Sequence, residues 1–187
     1  DAHGVDVIGW ACVFQDEIHQ HIVDYLLARG AKHNIFSAVS CGSVEAIRTL
    51  AEEDPALLDK QMAIWEDHRR PLHQALIRQQ HESVVTLVEL GADLAATDVN
   101  NLTALDQAAI QGESELARFL IDHGSSIGLP AAMALNRRQD IDRVMDADPE
   151  CLKPGGKWGQ LIASAAKRGS AGLLARLLDH GADVNVM

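Results

Sequence analysis

The chain has 187 residues, of which 47% are hydrophobic and 23% are charged, a composition close to the globular average that argues against long-range disorder. Its formal net charge of -11 argues against nucleic-acid binding as the main task, because such binding requires a basic surface. Aromatic residues make up only 4%, which favours short helices packed through aliphatic side chains over a β-sandwich. The longest uncharged stretch, residues 124–136, is shorter than the roughly 20 apolar residues of a transmembrane helix.

Apolar helices that end at a glycine recur along the chain. In chain order, the four endings are Leu26-Leu27-Ala28-Arg29-Gly30-Ala31, Leu87-Val88-Glu89-Leu90-Gly91-Ala92-Asp93, Leu120-Ile121-Asp122-His123-Gly124-Ser125 and Leu177-Leu178-Asp179-His180-Gly181-Ala182-Asp183. Glycine ends a helix in the left-handed conformation without a Cβ penalty. Two further helices are predicted to end before Asp54-Pro55 and Asp148-Pro149, because proline cannot continue a helix.

A second, shorter helix with paired alanines or similar small residues is predicted ahead of such endings. Residues 70–76, Arg-Pro-Leu-His-Gln-Ala-Leu, are one example, and residues 103–112, Thr-Ala-Leu-Asp-Gln-Ala-Ala-Ile-Gln-Gly, are another. These residues resemble the ankyrin-repeat family, whose pattern runs T-P-L-H-x-A-A-x-x-G before a second helix that ends L-L-x-x-G-A-D-V-N. Residues 181–185 reproduce that ending, and Pro71-Leu72-His73 matches the opening.

The resemblance implies an all-α ankyrin-repeat solenoid of antiparallel helix pairs joined by turns, with about twelve helices and no sheet beyond turn-sized strands. We expect a single domain, 1–187, of six repeats at 1–34, 35–59, 60–97, 98–128, 129–153 and 154–187. Gly30 and Gly124 are 94 residues apart, as are Asp54 and Asp148. This longer period indicates that the first three repeats are an ancestral copy of the last three.

Two departures from the family pattern carry structural expectations. Asn136 stands where the mid-repeat glycine belongs, and asparagine is the non-glycine residue best suited to the left-handed conformation. Arg70 stands where the family has threonine, so the side-chain hydrogen bond that usually fixes this turn is not expected there.

The cysteines and histidines indicate neither a disulfide framework nor a metal or cofactor site. Cys12, Cys41 and Cys151 are odd in number, far apart and without C-x-x-C spacing, so we expect reduced thiols in an intracellular, cytoplasmic protein. His19 and His21, beside Glu17, form the densest cluster of potential ligands. Residues two positions apart do not share a helix face, however, so zinc binding is not favoured.

No catalytic motif is present, since the chain has neither a G-x-S-x-G sequence nor a P-loop. The glycines in residues 153–157 lack the Gly-Lys-Ser/Thr ending of a phosphate-binding loop, so a long turn is predicted there. We therefore expect the chain not to be an enzyme.

In ankyrin arrays, the turn ahead of the inner helix and the last exposed positions of that helix line a concave binding face, and the resemblance implies the same here. The mapped positions are Trp65, Glu66, Arg69, Arg78, Asn100, Leu102, Ile110, Gln111, Lys157, Trp158, Lys167 and Arg168. Tryptophan and arginine are frequent binding hot spots. Packing inside lengthened turns is an equally consistent role for Trp65 and Trp158, and the sequence leaves both roles open.

The functional expectation is a non-catalytic protein-protein interaction module that binds a partner through this concave face. Lys157, Lys167 and Arg168 predict a protein partner with an acidic patch, and neither nucleic acid nor a membrane is expected as a partner. The alternative is a regulatory or spacer segment of a larger enzyme whose catalytic domain lies outside this chain. Paired leucines in residues 173–178 predict an open outer flank, so we expect association through the C-terminal repeat or continuation in a longer chain.

Overall fold

The computed structural model describes residues 6–12, 18–62, 68–153, 155–167 and 169–185. These residues form twelve α-helices and one 3-10 helix, Pro55–Asp59. Their only β-type pairing is an isolated antiparallel bridge between Thr97 and Thr103. The all-α fold class predicted from the ankyrin resemblance is confirmed.

The chain divides into two compact units, Asp1–Ala96 and Thr97–Met187. The helices of the first unit are α1 (Gly9–Cys12), α2 (Gln20–Ala28), α3 (Ile35–Ser40), α4 (Val44–Glu53), α5 (Pro71–Ile77) and α6 (His81–Glu89). Those of the second unit are α7 (Ala104–Gln111), α8 (Ser114–Asp122), α9 (Leu129–Ala134), α10 (Arg138–Ala147), α11 (Leu161–Lys167) and α12 (Ala171–Asp179).

Consecutive helices pack as pairs, and the two members of a pair differ in burial. In α3 and α7 the first helix of the pair is short and buried nearly all round: every residue of α3 is buried, and so are residues 104–110 of α7. The second helix is amphipathic, as α8 shows with Leu116, Ala117 and Leu120 buried on one side. Within each unit the buried helices also contact the next pair, α3 against α5 and α7 against α9, so the core continues from one pair to the next.

The helix endings predicted from the sequence are confirmed. Gly30, Gly91, Gly124 and Gly181 all adopt left-handed backbone conformations, with φ between 85° and 96°. The helices α4 and α10 end at Glu53 and Ala147, directly before the two Asp-Pro pairs.

The expected left-handed conformation of Asn136 is also confirmed, with φ of 56°. Gln79, at the equivalent position after α5, adopts nearly the same conformation, with φ of 55°. The left-handed conformation of Gln79 was not predicted from the sequence.

A buried carboxylate connects two consecutive helix pairs of the second unit. Asp106, only 1% exposed, accepts hydrogen bonds from the Thr103 backbone N–H at 3.0 Å and the Thr103 hydroxyl at 2.8 Å. It also accepts one from the Ala131 N–H, at 2.9 Å, in α9. Burial raises the pKa of Asp106 above its usual range, while the bonds from Thr103 and Ala131 act in the opposite direction. Arg70, which stands at the position of Thr103, makes no side-chain cap bond to α5, as expected.

Replacing this carboxylate should destabilise the second unit. Asp106→Ala leaves the Thr103 and Ala131 N–H groups without their acceptor, and we expect a loss of roughly 3 kcal/mol, since each orphaned buried donor costs about 1–3 kcal/mol. Urea denaturation followed by circular dichroism at the helical minimum measures this loss. Asp142→Ala, at an exposed position of α10, is the matched control and should change stability by less than about 0.5 kcal/mol. Equal losses for the two variants would contradict the structural role of Asp106.

Candidate partner-binding site

A cleft of about 290 Å³ opens in the second unit between the turn at residues 99–101 and the segment that leads into α11. Its polar lining consists of Asn100, Asn101, Lys157, Gln160, Ser164 and Lys167. Val99, Trp158, Leu161 and Ala163 supply the apolar part of the walls. The cleft therefore combines amide and ammonium donors with an apolar surface of similar extent.

A buried aspartate shapes the turn on one side of the cleft. The Oδ1 atom of Asp98 accepts hydrogen bonds from the Asn100 N–H at 2.8 Å and the Leu102 N–H at 3.0 Å. The Asp98 backbone N–H donates to the Leu102 carbonyl at 3.0 Å, and Asn101 takes the left-handed conformation with φ of 57°. These bonds close the turn, so Val99, Asn100 and Asn101 are exposed at its tip.

Two glycines shape the opposite wall. A Cβ atom on Gly156 would lie 2.3 Å from the Glu150 carbonyl oxygen, and one on Gly159 would lie 2.5 Å from the Lys153 carbonyl oxygen. Both distances are far below van der Waals contact, so this turn accepts no larger residue without moving its backbone. The long turn predicted at residues 153–157 is therefore found, although Pro154 lies outside the described residues.

One face of α11 and the residue before it complete the cleft. Gln160, Ser164 and Lys167 are separated by four and three positions, the spacing that aligns side chains along one helical face. On the other side, Leu161 and Ala165 belong to the apolar core of the second unit. The burial of Leu161 and Ala165 thus places Lys167 on the exposed face of α11 that borders the cleft.

Trp158 forms the boundary between the cleft and the core. Its side chain is only 6% exposed and packs in the same apolar cluster as Leu161 and Ile162. The Lys157 ammonium lies over the indole ring, 4.9 Å from the ring centroid, in cation–π geometry. The burial of Trp158 supports its packing role. Its ring also holds Lys157 at the rim of the cleft.

The cleft carries a positive charge in an acidic protein. Lys157 and Lys167 line it, and no aspartate or glutamate is among its lining residues. In the described part of the chain, neither lysine forms an ion pair with a carboxylate. The whole chain has a net charge of -11, so the charge of the cleft is opposite in sign to that of the chain.

The structure brings together four of the residues predicted to bind a partner, namely Asn100, Lys157, Trp158 and Lys167. Leu102 and Ile110 are buried in the core, at 0% and 7% exposure, and present no surface to a partner. Gln111 is exposed at the end of α7 but does not line the cleft.

Arg69 and Arg78 are partly buried in the first unit. Trp65, Glu66 and Arg168 lie outside the described residues.

Three polar residues of the cleft were missed by sequence analysis: Asn101, Gln160 and Ser164. The helical spacing of Gln160 and Ser164 relative to Lys167 is a sequence signal that could have found them. Asn101 follows Asn100 in a turn that begins at Asp98, and asparagine in such a turn often takes the left-handed conformation.

A larger cleft of about 430 Å³ lies in the first unit, but it has no excess of positive charge. Lys32 and His33 line it together with Glu45 and Glu53. Burial lowers the pKa of His33 below its usual value, while Asp6 opposes this shift. With a largely neutral histidine, the two carboxylates outnumber the one lysine, so this cleft lacks the excess of positive charge that distinguishes the cleft in the second unit.

The described residues include no group of three or more His, Cys, Asp or Glu side chains placed to hold a metal ion. His19 and His21 lie with their ring centroids 6.3 Å apart, and Glu17 lies outside the described residues. Within the same residues, no helix has both the length and the apolar character needed to cross a membrane.

Comparison with known proteins identifies the repeat type. The family model for ankyrin repeats (3 copies) matches residues 35–131, slightly more than half of the chain. The chain belongs to the ankyrin-repeat family. Ankyrin repeats are general protein-interaction modules and are typically not catalytic.

Similar ankyrin-repeat proteins occur in rodents. The chain is 27% identical over 149 residues to "Ankyrin repeat and SAM domain-containing protein 6" of Rattus norvegicus, an alignment that covers 74% of this chain and 16% of that protein. It is 28% identical over 121 residues to the protein of the same name from Mus musculus, with 64% and 13% covered. The matched segment thus spans about a sixth or less of the length of these relatives.

The glycine turn that frames the cleft gives a direct test of the site's construction. Gly159→Ala should destabilise the ankyrin-repeat chain by roughly 2 kcal/mol, because the new methyl group overlaps a backbone carbonyl that must move. Gly172→Ala is the matched control, since a Cβ there meets nothing within 4 Å and alanine favours the helix by up to about 1 kcal/mol. Thermal unfolding followed by circular dichroism measures both changes. A stable Gly159→Ala variant would show that the turn is built differently.

Proposed function

We propose that this ankyrin-repeat chain is a non-catalytic interaction module that binds an acidic segment of a protein partner in the cleft of the second unit. The observation that carries the proposal is the pair of lysines, Lys157 and Lys167, in a cleft without a carboxylate. Complementary charge directs encounters between proteins and selects among partners. A partner segment with glutamate or aspartate supplies the missing negative charge.

The donors of the cleft suit a carboxylate. The ammonium groups of Lys157 and Lys167 and the side-chain amides of Asn100 and Asn101 all donate hydrogen bonds, and bonds from a cation to a carboxylate are stronger than neutral ones. Lys157 already rests over Trp158, so binding costs less side-chain entropy there than at a freely rotating lysine.

The apolar surface of the cleft favours an aliphatic residue next to the partner's carboxylate. Val99 is 49% exposed at the tip of its turn, and Ala163 is exposed on α11. Both lie at the cleft, so a partner side chain of leucine or valine size can cover them while its acidic neighbour reaches the lysines. An interface of this kind has an apolar centre with a charged rim.

We also propose an intracellular, cytoplasmic location. Cys12, Cys41 and Cys151 are all free thiols, and free thiols are usual in reducing compartments.

Charge removal at the cleft tests the proposed function. The probe is a fluorescein-labelled peptide of repeating Glu-Leu-Glu, and fluorescence anisotropy measures its binding to the full chain. Lys157→Gln together with Lys167→Gln should weaken binding roughly tenfold, about 1.4 kcal/mol, because each exposed charge pair contributes up to about 1 kcal/mol. The binding of the parent chain should also weaken as salt is raised, since exposed charges are screened.

The matched control removes the same charge elsewhere, with Lys32→Gln together with Lys60→Gln, two exposed lysines of the first unit. Because Lys32 lines the larger cleft, this control also tests that cleft as a rival site. Both double variants should keep the circular dichroism of the parent. Equal weakening by the two pairs, or equally tight binding of a peptide in which glutamine replaces glutamate, would reject the proposal.

A further inference from the structure

The cleft of the second unit has hydrogen-bond donors from three parts of the chain. Asn100 and Asn101 stand on the turn that begins at Asp98, Lys157 belongs to the glycine-framed turn, and Lys167 lies on α11. They line a space of about 290 Å³, which is near the lower end of the range for ligand sites, about 300–1,000 Å³. The donors can therefore approach one small group from several directions.

The kind and arrangement of these donors bear on the shape of the anion. A carboxylate is planar, and arginine is the side chain whose fork matches it with two parallel hydrogen bonds. Arginine is absent from the described residues that line the cleft, where both cations are lysines, which act as point charges. A phosphate group has three terminal oxygens that point in different directions, so donors from separate parts of the chain can each reach one of them.

The charge of the cleft is also matched better by a phosphate than by one carboxylate. Lys157 and Lys167 bring two positive charges, and the described lining contains neither aspartate nor glutamate. One glutamate side chain supplies a single negative charge. A phosphorylated serine or threonine carries a charge of about −1.5 to −2 at pH 7, so one side chain balances nearly both lysines.

Two of the donor residues are positioned before any ligand binds. The Lys157 ammonium lies 4.9 Å from the centroid of the Trp158 ring. Asn101 has its backbone in the left-handed conformation, with φ of 57°, and its N–H donates to the Asp98 carbonyl at 3.1 Å. The Asp98 carboxylate is buried and accepts hydrogen bonds from two backbone N–H groups of the turn. The acid that shapes this turn thus bonds the backbone and does not line the cleft.

We infer that the preferred ligand of this cleft is a phosphorylated serine or threonine in the partner's acidic segment, so that phosphorylation of the partner strengthens its binding. The inference rests on the proposed function, because it names the group that fills the same cleft. The pair of lysines in a cleft lined by donors from three parts of the chain carries it. The exposed surface of Val99 and Ala163 then covers an aliphatic neighbour of the phosphorylated residue.

Three unlabelled peptides that differ at one position test the inference. One is the repeating Glu-Leu-Glu peptide, the second has phosphoserine in place of its central glutamate, and the third has serine there. Isothermal titration calorimetry measures the binding of each peptide to the full chain. The phosphopeptide should bind roughly tenfold more tightly than the glutamate peptide, since it engages both lysines and a further donor. The serine peptide should bind most weakly of the three.

Single replacements in the chain show whether both lysines act on the phosphate. Lys157→Gln alone, or Lys167→Gln alone, should reduce the advantage of the phosphopeptide over the glutamate peptide to about twofold. Asn101→Gly removes the amide but keeps a left-handed backbone, and should weaken phosphopeptide binding roughly threefold. Lys60→Gln, at an exposed position of the first unit, is the matched control and should leave the advantage unchanged. All four variants should keep the circular dichroism of the parent.

Lowering the pH distinguishes a bound phosphate from a bound carboxylate. The second pKa of phosphoserine is about 6, so the affinity of the phosphopeptide should fall roughly threefold between about pH 7.5 and about pH 5.5. The glutamate peptide stays largely ionised over this range and should bind almost equally at both values. The charged residues of the described lining are Lys157 and Lys167, and no histidine is among them, so the glutamate peptide corrects for changes elsewhere in the chain.

The possible results separate this inference from the proposed function. If the phosphopeptide binds no better than the glutamate peptide, while both still depend on the lysines, the inference fails and the proposed function stands. If neither peptide binds, or if the lysine variants bind both as the parent does, the inference and the proposed function fail together.

Inorganic phosphate, added as a competitor, shows whether the partner's chain contributes to binding. Displacement of the phosphopeptide should need phosphate at a concentration roughly tenfold or more above that of unlabelled competing phosphopeptide, since the aliphatic contact is missing. Equal potency of the two competitors would mean that the cleft binds free phosphate, and would overturn the inference.

Discussion

The carboxylate of Asp106 is the contact on which the second unit and its cleft depend. It accepts hydrogen bonds from Thr103, which begins α7, and from Ala131 in α9. Thr103 also forms the bridge to Thr97 that closes the neighbouring turn. A single buried group therefore fixes two helix pairs and the base of the turn that carries Asn100. The first N–H groups of a helix have no backbone acceptor within the helix. The Asp106 carboxylate serves as the acceptor for such groups at the starts of α7 and α9.

The helix ends and the buried helices could be predicted from local patterns in the sequence. We could predict the left-handed conformation of glycines such as Gly124 and the helix ends before Asp54 and Asp148. The backbone conformation at these positions depends on only one or two residues. The buried helices were predictable from small residues at helical spacing. Asn136 fits the same rule, whereas Gln79 does not, since glutamine has no special tolerance for positive φ.

The site was only partly predictable, because burial depends on packing between segments. The family pattern identified Asn100, Lys157 and Lys167 as surface positions, and the structure places all three at one cleft. The same pattern also selected Leu102 and Ile110, which the neighbouring helices bury.

We propose that opposite charges within one molecule make the cleft selective. A net charge of -11 disfavours acidic partners in general, so we expect an acidic segment to bind where Lys157 and Lys167 act together. The indole of Trp158 supports Lys157 and packs in the core at once. We expect partner choice to follow from the charge of the two lysines and from the apolar surface beside them.

The most direct test of this account is the location of the bound acidic peptide on the protein. Backbone amide chemical shifts of the 15N-labelled chain, recorded while the Glu-Leu-Glu peptide is added, report that location residue by residue. The account predicts that the largest shifts fall within residues 99–101 and 156–167, the segments that carry the lining residues of the cleft. Shifts concentrated instead around Lys32 and Glu45, or spread evenly over both units, would contradict it.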